Sequence, residues 1–228
     1  MKLVGILHAF AGFREAPEEY TPASVPHPHD VVNVVRAAYQ FTGFPILTPG
    51  QTPPNTYQFT AGRFSDGERT FGITQLIMST EGDAVLTLST DDSDIVLENL
   101  VDLLDSNFGY RLRQSNLKKR YLSNLVVQFD EGLEVYMAKL GEMEREINKH
   151  DFLGRDKLRF KQIAFGDRIE AQRVHTDPIL LMEAADFIIE RRAGYKFDEN
   201  RFYCSAPLPT LKHIETLERL EAIARGAV

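Results

Sequence analysis

The sequence predicts an α+β fold: a mixed, mostly antiparallel sheet with packed helices in a two-layer sandwich, preceded by a proline-rich N-terminal arm. Eight of the eleven prolines lie before residue 55, which separates an arm over residues 1–54 from an α+β domain over residues 55–228. Beyond the arm, strand-like segments occur in groups with turn signals between them, and amphipathic helical segments follow these groups. The hydrophobic fraction of 43% and the charged fraction of 26% are ordinary for a globular chain.

The arm begins with an apolar segment, residues 1–11, that is more typical of a first strand than of a signal peptide. One helix is predicted from about Val31 to Thr42, where Asp30 can accept N–H groups of the first turn. Prolines on both sides of this helix favour extended loops. We therefore expect the arm to take its stability from the main domain or from another subunit.

The domain begins with a predicted three-stranded meander, which includes an Asp-Gly turn at residues 66 and 67. Its strands are Tyr57–Phe64, Arg69–Ser79 and Ala84–Thr90. A helix is predicted from Asp91 to about Ser106, because acidic residues stabilise the positive end of the helix dipole. Tyr121–Phe129 is apolar on both faces and predicts a central strand. The strand–helix–strand order indicates a right-handed parallel crossover.

The last hundred residues predict two helices and three strands. One helix extends from about Glu131 to Lys149, and the other follows Pro209, with Thr210 as its cap and apolar residues at helical spacing. The strands are Leu158–Phe165, Phe187–Arg192 and Arg201–Cys204, and the last two are joined by a turn that contains Gly194. The sequence has no visible internal repeat.

Several familiar chemistries lack their sequence signatures. The single cysteine, Cys204, can form neither an intramolecular disulfide nor a cysteine-based zinc site, and its apolar neighbours are typical of a buried position. The chain has no Gly-x-Gly, no phosphate-binding loop, no His-Glu-x-x-His and no Gly-x-Ser-x-Gly. No cofactor is therefore expected. No apolar run is long enough for a membrane span, so we expect no membrane partner and a cytoplasmic location.

His27, His29 and Asp30 are the best metal-ligand candidates, because imidazole and carboxylate groups suit zinc, manganese or iron. The cluster lies in the proline-rich arm, where surface or capping roles explain the same residues. The sequence therefore predicts no metal site and leaves this cluster as a weak candidate.

Charge is distributed unevenly along the chain. Residues 1–109 carry 5 basic and 14 acidic residues, whereas residues 110–173 carry 14 basic and 10 acidic residues. Within the second block, residues 110–121 (the basic segment) have five positive charges, no negative charge and a tyrosine at each end. The candidate partner- or anion-binding residues are Tyr110, Arg111, Arg113, Lys118, Lys119, Arg120 and Tyr121.

Three interpretations of the basic segment remain open. It could bind phosphates, with its tyrosines stacking on bases. It could be a solvated loop whose basic residues pair with the acidic helix before it. It could also dock an acidic protein surface, such as the acidic N-terminal region of a neighbouring copy.

These observations favour a cytoplasmic protein-interaction or assembly module, self-associating and without its own catalytic machinery. The alternative is a hydrolase-type enzyme whose His and Asp residues converge from distant loops. The second alternative is nucleic-acid binding through residues 110–121, which the net charge of −7 disfavours.

Overall fold

The computed structural model describes residues 1–14, 26–47, 54–79, 82–112, 117–131, 162–166, 182 and 185–225, and these residues confirm an α+β fold. They contain one eight-stranded sheet and three α-helices. The strands are β1 (Lys2–Arg14), β2 (Thr56–Ser65), β3 (Thr70–Ser79), β4 (Gly82–Thr87), β5 (Lys119–Gln128), β6 (Gln162–Phe165), β7 (Phe187–Arg191) and β8 (Arg201–Ala206). The helices are α1 (Pro28–Tyr39), α2 (Thr90–Phe108) and α3 (Thr210–Ala224).

The strand order is β2-β3-β4-β1-β5-β8-β7-β6, and every neighbouring pair of these described strands is antiparallel. The predicted β2-β3-β4 meander and the central position of β5 are confirmed. β4 and β5 run parallel to each other, as their helical connection suggests, but they are not neighbours. β1 lies between them and pairs with both, which makes the described sheet antiparallel rather than mixed.

The N-terminal residues that the sequence assigns to an arm contribute a central strand, β1, and the helix α1. Helix α1 begins at Pro28, because proline is well suited to the first turn, and the Nδ1 atom of His27 accepts a hydrogen bond from the backbone N–H of His29 at 3.2 Å. The hydroxyl of Tyr39, at the end of α1, donates to Asn99 on α2 at 3.0 Å. Helix α1 therefore packs against its own chain, on the same side of the sheet as α2.

Helix α2 has clear signals at both ends. The side chain of Ser89 accepts the backbone N–H of Asp91, so the acidic residues lie in the first turn rather than at the cap. Gly109 ends the helix with a φ of 71°, a left-handed conformation that glycine adopts without strain. The buried face of α2 covers the first half of the sheet.

Three hydrophobic clusters lie along the described part of the sheet: a small one around Ala84 and Met182, and two larger ones that we call the first and the second core. The first core contains α1, α2 and the β2-β3-β4 meander, with Val35, Phe59, Leu76, Val85, Leu97 and Leu100 among its buried members. The second core contains β5, β7, β8 and α3, with Leu125, Val127, Phe129, Ile189, Phe202 and Leu217 among its buried members.

The two central strands connect these cores. Ile6, near the start of β1, packs against the second core, whereas Phe13, near its end, lies in the first. Tyr121, near the start of β5, packs against the first core, whereas Leu125 lies in the second. Each central strand therefore begins over one core and ends over the other.

Some predicted elements lie outside the described residues. The predicted helix from Glu131 to Lys149 is one of them, and the predicted strand from Leu158 is described only over Gln162–Phe165. The turn at Gly194 between β7 and β8 is confirmed. Among the described helices, none combines the length and the apolar character needed to cross a membrane.

Candidate functional site

The basic segment begins just after α2 and ends within β5. Arg111 and Lys118 are exposed, and Arg120 is half-buried. Tyr110 is half-buried against the first core. Arg113 lies outside the described residues. The structure thus places the candidate residues on both sides of the connection between α2 and β5.

Lys119 is held by the acidic helix that precedes it. Its Nζ atom lies 3.1 Å from Oδ1 of Asp94 and 3.0 Å from Oε1 of Glu98, both on α2. Burial acts to lower the pKa of Lys119, but the hydrogen bonds to these two carboxylates outweigh it and raise the pKa. The charge of Lys119 is therefore neutralised within the chain.

Tyr121 contacts the same carboxylate. Its hydroxyl donates to Oδ2 of Asp94 at 2.8 Å, and burial together with this hydrogen bond raises the pKa of Tyr121 to about 12. The carboxylate of Asp94 thus contacts both Lys119 and Tyr121. We call the group formed by Asp94, Glu98, Lys119 and Tyr121 the clasp, because it fastens the start of β5 to α2.

The histidine cluster of the N-terminal region lies at the start of α1. His27, His29 and Asp30 are exposed, with His27 acting as the helix cap. Nδ1 of His29 lies 2.8 Å from the side-chain nitrogen of Asn33. No group of three or more His, Cys, Asp or Glu side chains that could hold a metal ion is found within the part of the chain that the structure describes.

A buried polar pair, Ser123 and His213, is absent from the sequence-based candidates. Oγ of Ser123 on β5 lies 2.7 Å from Nδ1 of His213 on α3, and both residues are 0% exposed. Nε2 of His213 has no hydrogen-bond partner among the described residues, and the imidazole packs edge-on against the Phe187 ring. Helical spacing from Leu217 could have indicated that His213 is buried, but its partner is 90 positions away in sequence.

Burial and electrostatics also decide the role of Cys204. The residue is 0% exposed in the second core, and burial raises the pKa of its thiol far above the ordinary value. The expectation of a small buried hydrophobe is confirmed.

Comparison of the chain with protein-family models, with curated proteins and with solved structures gives no match in any of the three.

The buried imidazole predicts a pH-dependent stability. Burial lowers the pKa of His213 from 6.5 to about 4, and a hydrogen bond with the backbone of Ser123 offsets only part of this effect. Between these two pH values the unfolded chain binds a proton that the folded chain does not, so acidification favours unfolding. The contribution of His213 is complete above pH 6.5 and is lost as the pH falls towards 4, a change of about 3 kcal/mol.

Urea unfolding of the wild type and of His213→Gln at neutral pH and at the lower end of this window measures the effect. We expect the wild type to lose about 3 kcal/mol more than the variant on acidification, because glutamine does not titrate. Equal losses in the two proteins would exclude His213 as the source.

Proposed function

We propose that this protein is a protein-interaction and assembly module that self-associates and has no catalytic machinery of its own. The observation that carries the proposal is the proximity of two oppositely charged surfaces on one chain. Helix α2 carries six acidic residues and no basic residue, while Arg111 and Lys118 stay exposed in the segment that follows it. Two copies can therefore place the basic residues of one against the acidic helix of the other.

Three buried side chains of the nucleophile or base type do not support a catalytic role. Ser123, His213 and Cys204 are each 0% exposed, so a substrate in solution does not reach them. Their burial removes these three groups from the hydrolase alternative, whereas His27, His29 and Asp30 are exposed.

The surroundings of the basic segment favour a protein partner over a nucleic acid. Lys119 already pairs with Asp94 and Glu98, so it adds little positive charge for a phosphate backbone. The proposed contact uses the basic segment rather than the N-terminal region, because β1 and α1 are packed into their own chain.

Charge reversal tests the proposed contact. We expect the wild-type chain to sediment as a dimer at about 50 mM salt and as a monomer at about 500 mM salt, because exposed charges are screened at the higher concentration. The double variant Arg111→Glu, Lys118→Glu should be monomeric at both concentrations. Analytical ultracentrifugation gives the mass in each case.

Lys212→Glu is the matched control. Lys212 is an exposed basic residue on α3 whose ion pair with Glu215 is local. This variant should behave as the wild type does. A wild-type mass that stays monomeric at both salt concentrations would contradict self-association.

A further inference from the structure

We infer that the chain consists of two equivalent units in tandem, related by a two-fold axis. The contact surface between them also fits a second copy, so that the first unit of one chain can pair with the second unit of another. The first unit comprises residues 1–112 and the second unit residues 117–225. We call their contact surface the seam; its centre is the β1–β5 pair. This inference is independent of the proposed charge-driven contact, since it concerns a different surface.

The order of the strands is the first argument. Read inwards from either edge of the described sheet, the succession is the same: β2-β3-β4-β1 from one side and β6-β7-β8-β5 from the other. Among the described strands of each unit, the central strand comes first in sequence, three antiparallel strands follow it, and a helix follows the third of these. The two central strands pair antiparallel, as a two-fold axis perpendicular to the sheet requires.

The register of the two helices is the second argument. The four buried positions of α3 each lie 120 positions beyond a buried position of α2. The equivalent pairs are Thr90 and Thr210, Ser93 and His213, Leu97 and Leu217, and Val101 and Glu221. Only two of these pairs keep the same residue, which explains why the sequence shows no visible repeat.

Hydrogen bonds at the centre of the seam follow the same symmetry. The backbone N–H of Thr210 donates to Oγ1 of Thr90 at 2.7 Å, and the backbone N–H of Thr90 donates to Oγ1 of Thr210 at 3.1 Å. These residues are the first of α3 and α2, and Pro209 supplies no side-chain cap for α3. The first N–H group of each helix has no acceptor within its own helix, and a threonine of the other unit accepts it.

The buried polar residues flanking this contact also have equivalent positions. Oγ of Ser93 donates to the backbone carbonyl of Ala9 on β1 at 3.0 Å, and His213 contacts Ser123 on β5. Ala9 and Ser123 are register partners across the seam. Each helix thus places a buried polar side chain against the central strand of its own unit.

Charged groups at the starts of β1 and β5 form ion pairs with the helix of the other unit. Lys119, which begins β5 of the second unit, pairs with Asp94 and Glu98 on α2 of the first. The α-amino group of Met1, beside the start of β1, pairs with Glu221 on α3 of the second unit. Each central strand therefore begins beside a charged group that pairs with the helix of the other unit.

A two-fold seam makes exchange between copies inexpensive in free energy. If the first unit of one chain pairs with the second unit of another, all seam contacts form again in the same geometry. Pairing of the two units within one chain does not depend on chain concentration, whereas the exchanged dimer is favoured as the concentration rises. Refolding at high chain concentration should therefore populate an exchanged dimer.

Mixed cysteine variants of the full chain test this exchange. Thr90→Cys chains and Thr210→Cys chains are unfolded together, refolded at high concentration and treated with diamide. An exchanged dimer places one cysteine of each kind side by side, because the two hydroxyl oxygens of the native threonines are 3.2 Å apart. We expect a covalent dimer in the mixture and none when either variant is refolded alone.

The same mixture refolded at high dilution is the control, and its covalent dimer should disappear. Circular dichroism verifies that each variant folds. Phe10→Cys and Leu122→Cys, which are register partners on β1 and β5, provide a second pair that does not disturb the helix ends. Absence of mixture-specific cross-linking with the folded variants of either pair would overturn the inference.

Discussion

Replacing Glu221 with alanine should lower the free energy of unfolding by about 3–5 kcal/mol. Glu221 is 6% exposed, and its carboxylate pairs with the α-amino group of Met1 and accepts the backbone N–H of Asp130 at 3.0 Å. It also accepts a hydrogen bond from Arg225 at 3.1 Å. Alanine would leave the buried ammonium group without its main counter-ion, and the cost of a buried unpaired charge is large.

Urea unfolding at neutral pH measures this loss. Glu218→Ala is the matched control, because Glu218 is exposed on the same helix, and it should change the free energy of unfolding by less than about 0.5 kcal/mol. Glu221→Gln keeps the shape and an acceptor oxygen but removes the charge, so it should also be destabilising. A loss below about 1 kcal/mol for Glu221→Ala would mean that the ion pair between Glu221 and the α-amino group of Met1 does not stabilise the start of β1.

Leu97→Ala and Leu217→Ala should each lower the free energy of unfolding by about 2–5 kcal/mol. The two leucines are the equivalent residues of α2 and α3, at 1% and 0% exposure, and each lies in a different core. Because they lie in different cores, we expect the double variant to lose the sum of the two single losses.

The number of transitions in the unfolding curve tests whether the two cores depend on each other. Each core is completed by a strand of the other unit, so the chain should unfold in a single transition in all three variants. Ile223→Ala, at a position that is 53% exposed on α3, is the matched control and should be near neutral. Two resolved transitions in the Leu217→Ala variant would contradict this dependence of one core on the other.

Local patterns in the sequence predict most of the described elements. The Asp-Gly turn is one example: Oδ1 of Asp66 accepts the backbone N–H groups of Glu68 and Arg69, so the residues that define the turn lie within four positions. The meander and the helices α2 and α3 depend on similarly short patterns. The hypothesis that basic residues pair with the acidic helix is correct for Lys119. The sequence indicates this pairing because the basic segment directly follows the acidic helix.

Long-range pairings are what the sequence does not reveal. The central position of β1 depends on partners in β4 and β5, and nothing in its own alternation identifies them. The partner of His213 is equally remote. The equivalence of the two units depends on burial and strand order rather than on residue identity, and a hydrophobic Val101 matches an acidic Glu221.

The crossing of β1 between the cores has a consequence for synthesis on the ribosome. Lys2 at the start of β1 pairs with Gln128 on β5, and the α-amino group of Met1 pairs with Glu221 on α3, 220 positions away in sequence. Until β5 has been synthesised, one edge of β1 therefore has no partner strand and must stay protected. We expect folding to be slow, because the contacts that complete both cores join distant parts of the chain.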